Sequence, residues 1–221
     1  MPTLKRTLIS TIPAKDIARL AQRGEELLGR EYDAVSELYN RILRSARNDI
    51  CADERIKLIY EMLIAFKMNS RGARLSEFAD FNKSIKKHSD TIESLAKVKL
   101  EKVKEADDSF RETIGSLFCN LDGLTQTNSS LVTFSKTMHF LLPDLFMPID
   151  GRYTLRFFYE STPTNQKQCF LQVLEQFRQF AQEHHEVLKA QVNKHSHWNR
   201  SIPKVIDNII ITYVTENMLH N

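Results

Sequence analysis

Glycine and proline are scarce, six of each in 221 residues, and cysteine is scarcer still, with three. So few helix breakers, set among many Lys, Glu, Arg and Gln, lean the chain towards α-helix. Cys51, Cys119 and Cys169 are far apart, odd in number and free of C-x-x-C spacing. That excludes a disulfide framework and a zinc knuckle and fits a reducing compartment. No stretch of 18 uncharged apolar residues occurs, and the opening MPTLKRTLISTIPAKD is basic without a continuous apolar run. Neither export nor a membrane span is expected, and a cytoplasmic location is. The formal charge of +3 is too small to imply a polyanionic partner for the molecule as a whole.

What is present is a core. With 42% apolar residues the chain has enough to fold, and its length suits one helical unit, residues 1–221, or two packed subdomains of about 1–105 and 106–221. Helical periodicity predicts a first helix from Pro13 to near Gly29 and a second carrying Tyr32, Val35, Leu38, Tyr39, Ile42 and Leu43. Further stripes run from Asp53 to Met68, from Leu75 to Ile85, and from Ile92 to Leu100 behind a cap at Asp90 or Thr91. Asp107-Asp108 starts another helix that stops at Asp122-Gly123, and Thr125 to Ser130 is a loop. Leu131 to Leu142 reads as a buried helix closed by Pro143, because proline disfavours helical geometry in the residue before it. Gln166 to Val192 is the longest pattern, and Ser201 with Pro203 opens a last element. In that element Ile209 to Val214 are good strand formers, but with no partner strand evident it is assigned to helix. The expected fold is thus all-α, an irregular multi-helix arrangement with at least eight helices.

The most unusual segment is Ser135-Lys136-Thr137-Met138-His139-Phe140, followed by Pro143 and Pro148-Ile149-Asp150. An apolar helix carrying Lys136 and His139 leads through two prolines to an acid, and a rigid turn that holds a carboxylate is a usual way to build a site. The plainer account is that Asp150 caps the helix of Tyr153, Leu155, Phe157 and Phe158, at its positive end. Lys136, His139 and Asp150 are the catalytic candidates, and Arg152 adjoins them. A second candidate is the loop Lys67 to Arg74, where Arg71 and Arg74 flank Gly72 and could bind nucleic acid or another anion. It lacks the length and Lys-Ser/Thr ending of a P-loop, and a helix end with solvated arginines is the alternative. Because an acid at a rigid corner recruits cations, this loop is expected near Asp150. Between Lys67 and Lys104 there are 10 Lys and Arg against 5 Asp and Glu, which reads either as a solvated face or as a basic surface.

Helix, short proline-bounded connection, then an apolar residue before Asp: from about Leu121 to Phe158 this resembles the C-terminal part of helix-hairpin-helix DNA glycosylases. The S-K-x-x-H-F-x-x-P-x-L-x-x-P-I-D pattern also resembles helical bacterial proteins of uncharacterised function. The first resemblance implies that Asp150 activates water or stabilises positive charge on a sugar while a flipped base enters a helical cleft. The chain departs from that family in two places. Its hairpin is rich in glycine, whereas Asn128 to Thr133 has none, and the Lys of its bifunctional members stands near Val132, a turn before Lys136. A Schiff-base lyase is therefore not expected.

His184, His185, His195 and His197 cluster late, but adjacent His184 and His185 point about 100° apart on a helix and make no i, i+4 ligand pair. No H-E-x-x-H, G-x-S-x-G or G-x-G-x-x-G occurs, so no metal or cofactor is expected. The leading expectation is a nucleic-acid-associated helical protein with DNA as partner and a diverged glycosylase-like site. The alternatives are a non-catalytic helical interaction or regulatory protein, with a protein partner or a second copy, and a small-molecule enzyme using Arg71, Arg74, Lys136, His139 and Asp150.

Overall fold

The structure is a computed structural model describing residues 3–45, 49–69, 74–105, 107–127, 130–159, 164–192, 194 and 197–219, with the side chains of 30–34 not described. Among the described residues the fold is all-helical, with one isolated antiparallel bridge between Leu75 and Thr125. The helices are α1 (Leu8–Thr11), α2 (Ile17–Arg44), α3 (Asp53–Ala65), α4 (Phe78–Lys87), α5 (Ser89–Ser94), α6 (Asp108–Asn120), α7 (Ser130–Leu141), α8 (Thr154–Tyr159), α9 (Gln166–Glu183), α10 (His185–Lys189) and α11 (Ile202–Met218). No described helix is long and apolar enough to cross a membrane.

Several helices start where a side chain can accept the first orphaned N–H groups. Asp107 accepts from the Phe110 amide at 2.9 Å, Asn165 from Gln168 at 3.1 Å, and Ser201 from Lys204 at 3.4 Å. α11 is buried at every position from Ile202 to Thr212 and again at Val214. A helix buried on all sides lies inside a protein, and there its β-branched residues are helical because burial outweighs their strand preference.

Around α11 runs α2. The interruption expected at Gly29 does not occur, and 28 residues form one helix. Glycine inside a helix costs only about 1 kcal/mol, less than the packing that holds this one in place. Gly24 shows why that packing is close: a Cβ there would sit 2.4 Å from the Asn208 carbonyl oxygen. Thr212 Oγ1 also donates to the Leu20 carbonyl at 2.9 Å. Two other expected helices are shorter than their apolar stripes. The Ile92 to Leu100 segment is helical only to Ser94, and the long Gln166 to Val192 pattern breaks at His184.

α7 carries nine buried residues, Leu131 among them, and ends before Pro143. Its last carbonyls meet a buried cation: Arg55 Nη2 donates to Phe140 O at 2.7 Å and to Leu141 O at 3.1 Å. A guanidinium here satisfies orphaned carbonyls and complements the negative end of the helix dipole.

Candidate functional site

The chemistry of the S-K-x-x-H segment begins with how α7 holds the chain that follows it. Ser135 and His139 stand one helical turn apart, so their side chains share a face. The Ile149 amide donates to Ser135 Oγ at 3.0 Å, and His139 Nδ1 lies 2.7 Å from the Phe146 carbonyl. A carbonyl only accepts, so Nδ1 carries the proton and Nε2 is left to accept from the Tyr39 hydroxyl at 3.1 Å. Both ring nitrogens are engaged, and burial pushes the His139 imidazolium down to about 3. His139 is therefore a neutral strut between α2 and the turn. Burial likewise drives the Tyr39 phenol far above its ordinary range, so this hydroxyl stays a donor.

Those two anchors deliver Asp150 to the start of α8. Its Oδ1 accepts from the Tyr153 amide at 2.7 Å, so the carboxylate does cap the helix. The same residue lines a cavity of about 410 Å³ enclosed by α2, the turn after α3, α7, the Pro148 to Tyr153 turn and α11. Lys136, His139, Asp150 and Arg152 all line that cavity. The volume is in the range of small-molecule sites.

The Lys67 to Arg74 loop divides. Lys67 and Met68 line the cavity, Arg71 lies outside the described residues, and Arg74 is not among the lining residues. The Arg74 carbonyl instead accepts from Thr125 Oγ1 at 2.6 Å and from the Gln126 amide at 2.8 Å. Lys67 has a φ of 58°, in the left-handed region. The Lys67 amide donates to Ile64 and that of Met68 to Leu63, at 2.8 and 3.1 Å, a helix-ending motif that usually places glycine where Lys67 stands. A backbone conformation unfavourable to lysine is kept where the lysine reaches a cavity, an arrangement found at ligand sites.

Among the lining residues not singled out from the sequence as site residues are Tyr39, Phe66, Trp198, Lys204 and Asp207. The rings of Tyr39 and Trp198 stack at 5.1 Å between centroids. Lys136 Nζ stands 5.0 Å over Phe66, Lys204 Nζ 5.8 Å over Trp198, and the Arg152 guanidinium 5.2 Å over Tyr153. Lys204 Nζ and Asp207 Oδ2 form an ion pair at 2.6 Å, with side chains 8% and 7% exposed. Burial pushes the Asp207 carboxyl up, the Lys204 charge and hydrogen bond oppose that, and the Asp150 charge adds to the rise. Besides that pair, the described charged residues lining the cavity are Lys67, Lys136, Arg152 and Asp150. The available signal was two charged residues three apart inside an apolar run. Among the described residues no group of His, Cys, Asp or Glu is arranged to hold a metal ion.

The chain matches no protein-family model, no curated protein and no solved structure.

Proposed function

We propose that the cavity receives a base turned out of a nucleic-acid strand and that the protein releases it by hydrolysis, in the manner of a DNA glycosylase. One observation carries the reading: aromatic rings, the cationic side chains of Lys67, Lys136 and Arg152 and the Asp150 carboxylate converge on one cavity of about 410 Å³. Aromatic faces stack on any base, and the cations suit the phosphates that flank it. Asp150, held by its bond to the Tyr153 amide, supplies negative charge where the sugar becomes positive, or accepts a proton from the attacking water. The N-glycosidic bond breaks with its electron pair leaving on the base, the water oxygen joins the sugar carbon and keeps one proton as the new hydroxyl, and the other water proton passes by way of Asp150 to the base nitrogen. By spacing from Asp150 the lysine of bifunctional glycosylases would fall near Val132, a turn before Lys136, so hydrolysis without strand cleavage is expected.

Asp150→Asn is the decisive variant. Asn and Asp are similarly good caps, so stability should fall by less than about 1 kcal/mol. Base release from a panel of damaged and mismatched duplexes should vanish while DNA affinity remains, falling steeply with salt. A wild-type protein that neither binds DNA above a neutral control at low salt nor releases any base would defeat the proposal. A non-catalytic interaction protein would then be the better description.

A further inference from the structure

The Lys204–Asp207 pair has no evident structural need. Burying two charges costs several kcal/mol per ion, and well-packed apolar residues in their place are often neutral or stabilising. Here the pair does not sit in solid core but on the wall of the cavity, beside the stacked rings of Tyr39 and Trp198. Lys204 has three N–H donors, of which the bond to Asp207 Oδ2 uses one. Asp207 is a pure acceptor with a second oxygen. A pure donor and a pure acceptor are thus fixed side by side, 2.6 Å apart, and 92–93% of each side chain is removed from solvent.

We infer that Lys204 and Asp207 read the polar edge of the base held in the cavity, Lys204 donating to a ring carbonyl or nitrogen and Asp207 accepting from the adjoining N–H. This rests on the cavity being a base pocket, and it names the substrate class: heterocycles whose exposed edge carries an acceptor next to an N–H donor. A base methylated on that ring nitrogen loses the donor and presents a methyl group to a carboxylate. The site would then hold a buried, unpartnered acceptor, and such mismatches discriminate strongly.

The chain has a single tryptophan, and it is Trp198 on the cavity wall, so intrinsic tryptophan fluorescence reports this site alone. The probes are the free bases hypoxanthine and uracil against 1-methylhypoxanthine and 3-methyluracil. The parent bases should change the fluorescence saturably, and each methylated partner should bind at least about tenfold more weakly. Removing one charge of a buried pair can unfold a protein, so the variant is the double replacement Lys204→Met with Asp207→Leu. It should melt no lower than wild type and bind parent and methylated bases equally weakly. The inference is overturned by parent and methylated bases of equal affinity, by discrimination surviving in the double variant, or by no free base perturbing Trp198. Failure here is distinguishable from failure of the glycosylase reading. Selective binding of free bases without release from any duplex defeats hydrolysis alone, whereas base release whose preference survives in the double variant defeats edge reading alone.

Discussion

The stretch from Lys67 to Lys104 carries the densest positive charge in the chain, while α11 carries almost none, and the structure uses the two in opposite ways. Every described Lys and Arg of that stretch is exposed, Lys83, Lys86, Lys87, Lys97 and Lys99 included. Where one of them finds an acid, as Lys86 does with Asp53 at 3.3 Å, both partners remain largely in water, and such pairs contribute little. α11 takes two of its few charges, Lys204 and Asp207, largely out of water. Charge that is plentiful is mostly solvated. Charge that is rare and buried carries a cost, which is why it points more sharply to a site.

The comparison can be broken most severely at Asp207. Asp207→Ala leaves the Lys204 ammonium buried without its partner, and chemical denaturation should show a loss of about 3–5 kcal/mol. A loss no larger than that of a surface substitution would mean that the pair is not buried in solution.

Acid provides the next largest effect. His139 is neutral in the folded state down to about 3, against an ordinary value of 6.5. Below 6.5 the unfolded chain takes up a proton that the folded protein refuses, so the stability this residue contributes at neutral pH is lost as pH falls towards 3. Denaturant titrations at about pH 4 should register a cost of roughly 3 kcal/mol from this group. Asp207, whose folded carboxyl is raised, acts in the opposite sense and favours the folded state as pH drops. The His139 share is isolated as the part of the pH slope that disappears in His139→Gln. An unchanged slope in that variant would show the imidazole to be accessible to protons.

Smaller effects sharpen the contrast. Lys67→Gly relieves a lysine of its φ of 58°, and thermal melting should show a gain of up to about 1 kcal/mol. The same variant removes a cation from the cavity and, under the proposed function, should weaken DNA binding. A protein that is more stable yet binds less well would identify Lys67 as kept for the ligand. Lys97→Gln, in the exposed basic stretch, should change stability by less than about 0.5 kcal/mol. A larger change would assign that stretch a structural role.

Features decided within a few residues were legible in the sequence. Asp107, Ser201 and Asp150 cap helices because each side chain reaches an amide three residues on, and Pro143 closes α7 by local sterics. Periodicity marked most apolar stripes, but it could not say how far each would stay helical. Gly29 looked like a stop and is not one, because α2 is held by α11 rather than by its own propensity. At Ser94 and His184 the apolar spacing runs on after the helix has ended. Lys136, His139, Asp150 and Arg152 could be named because they lie within 17 residues of one another around two prolines.

What the sequence determined by itself, then, was an all-helical chain, the caps at Asp107, Asp150 and Ser201 but not the one expected at Asp90 or Thr91, where α5 starts behind His88, its free cysteines and the turn that carries Asp150. Tertiary structure alone decided which distant residues join that turn. Tyr39 meets His139 across 100 residues of chain, and Trp198, Lys204 and Asp207 join the same cavity from near the C-terminus. Caps and turns are set by atoms a few bonds apart. A cavity is what remains between helices once their apolar faces are buried, and its lining depends on how α2, α7 and α11 pack together.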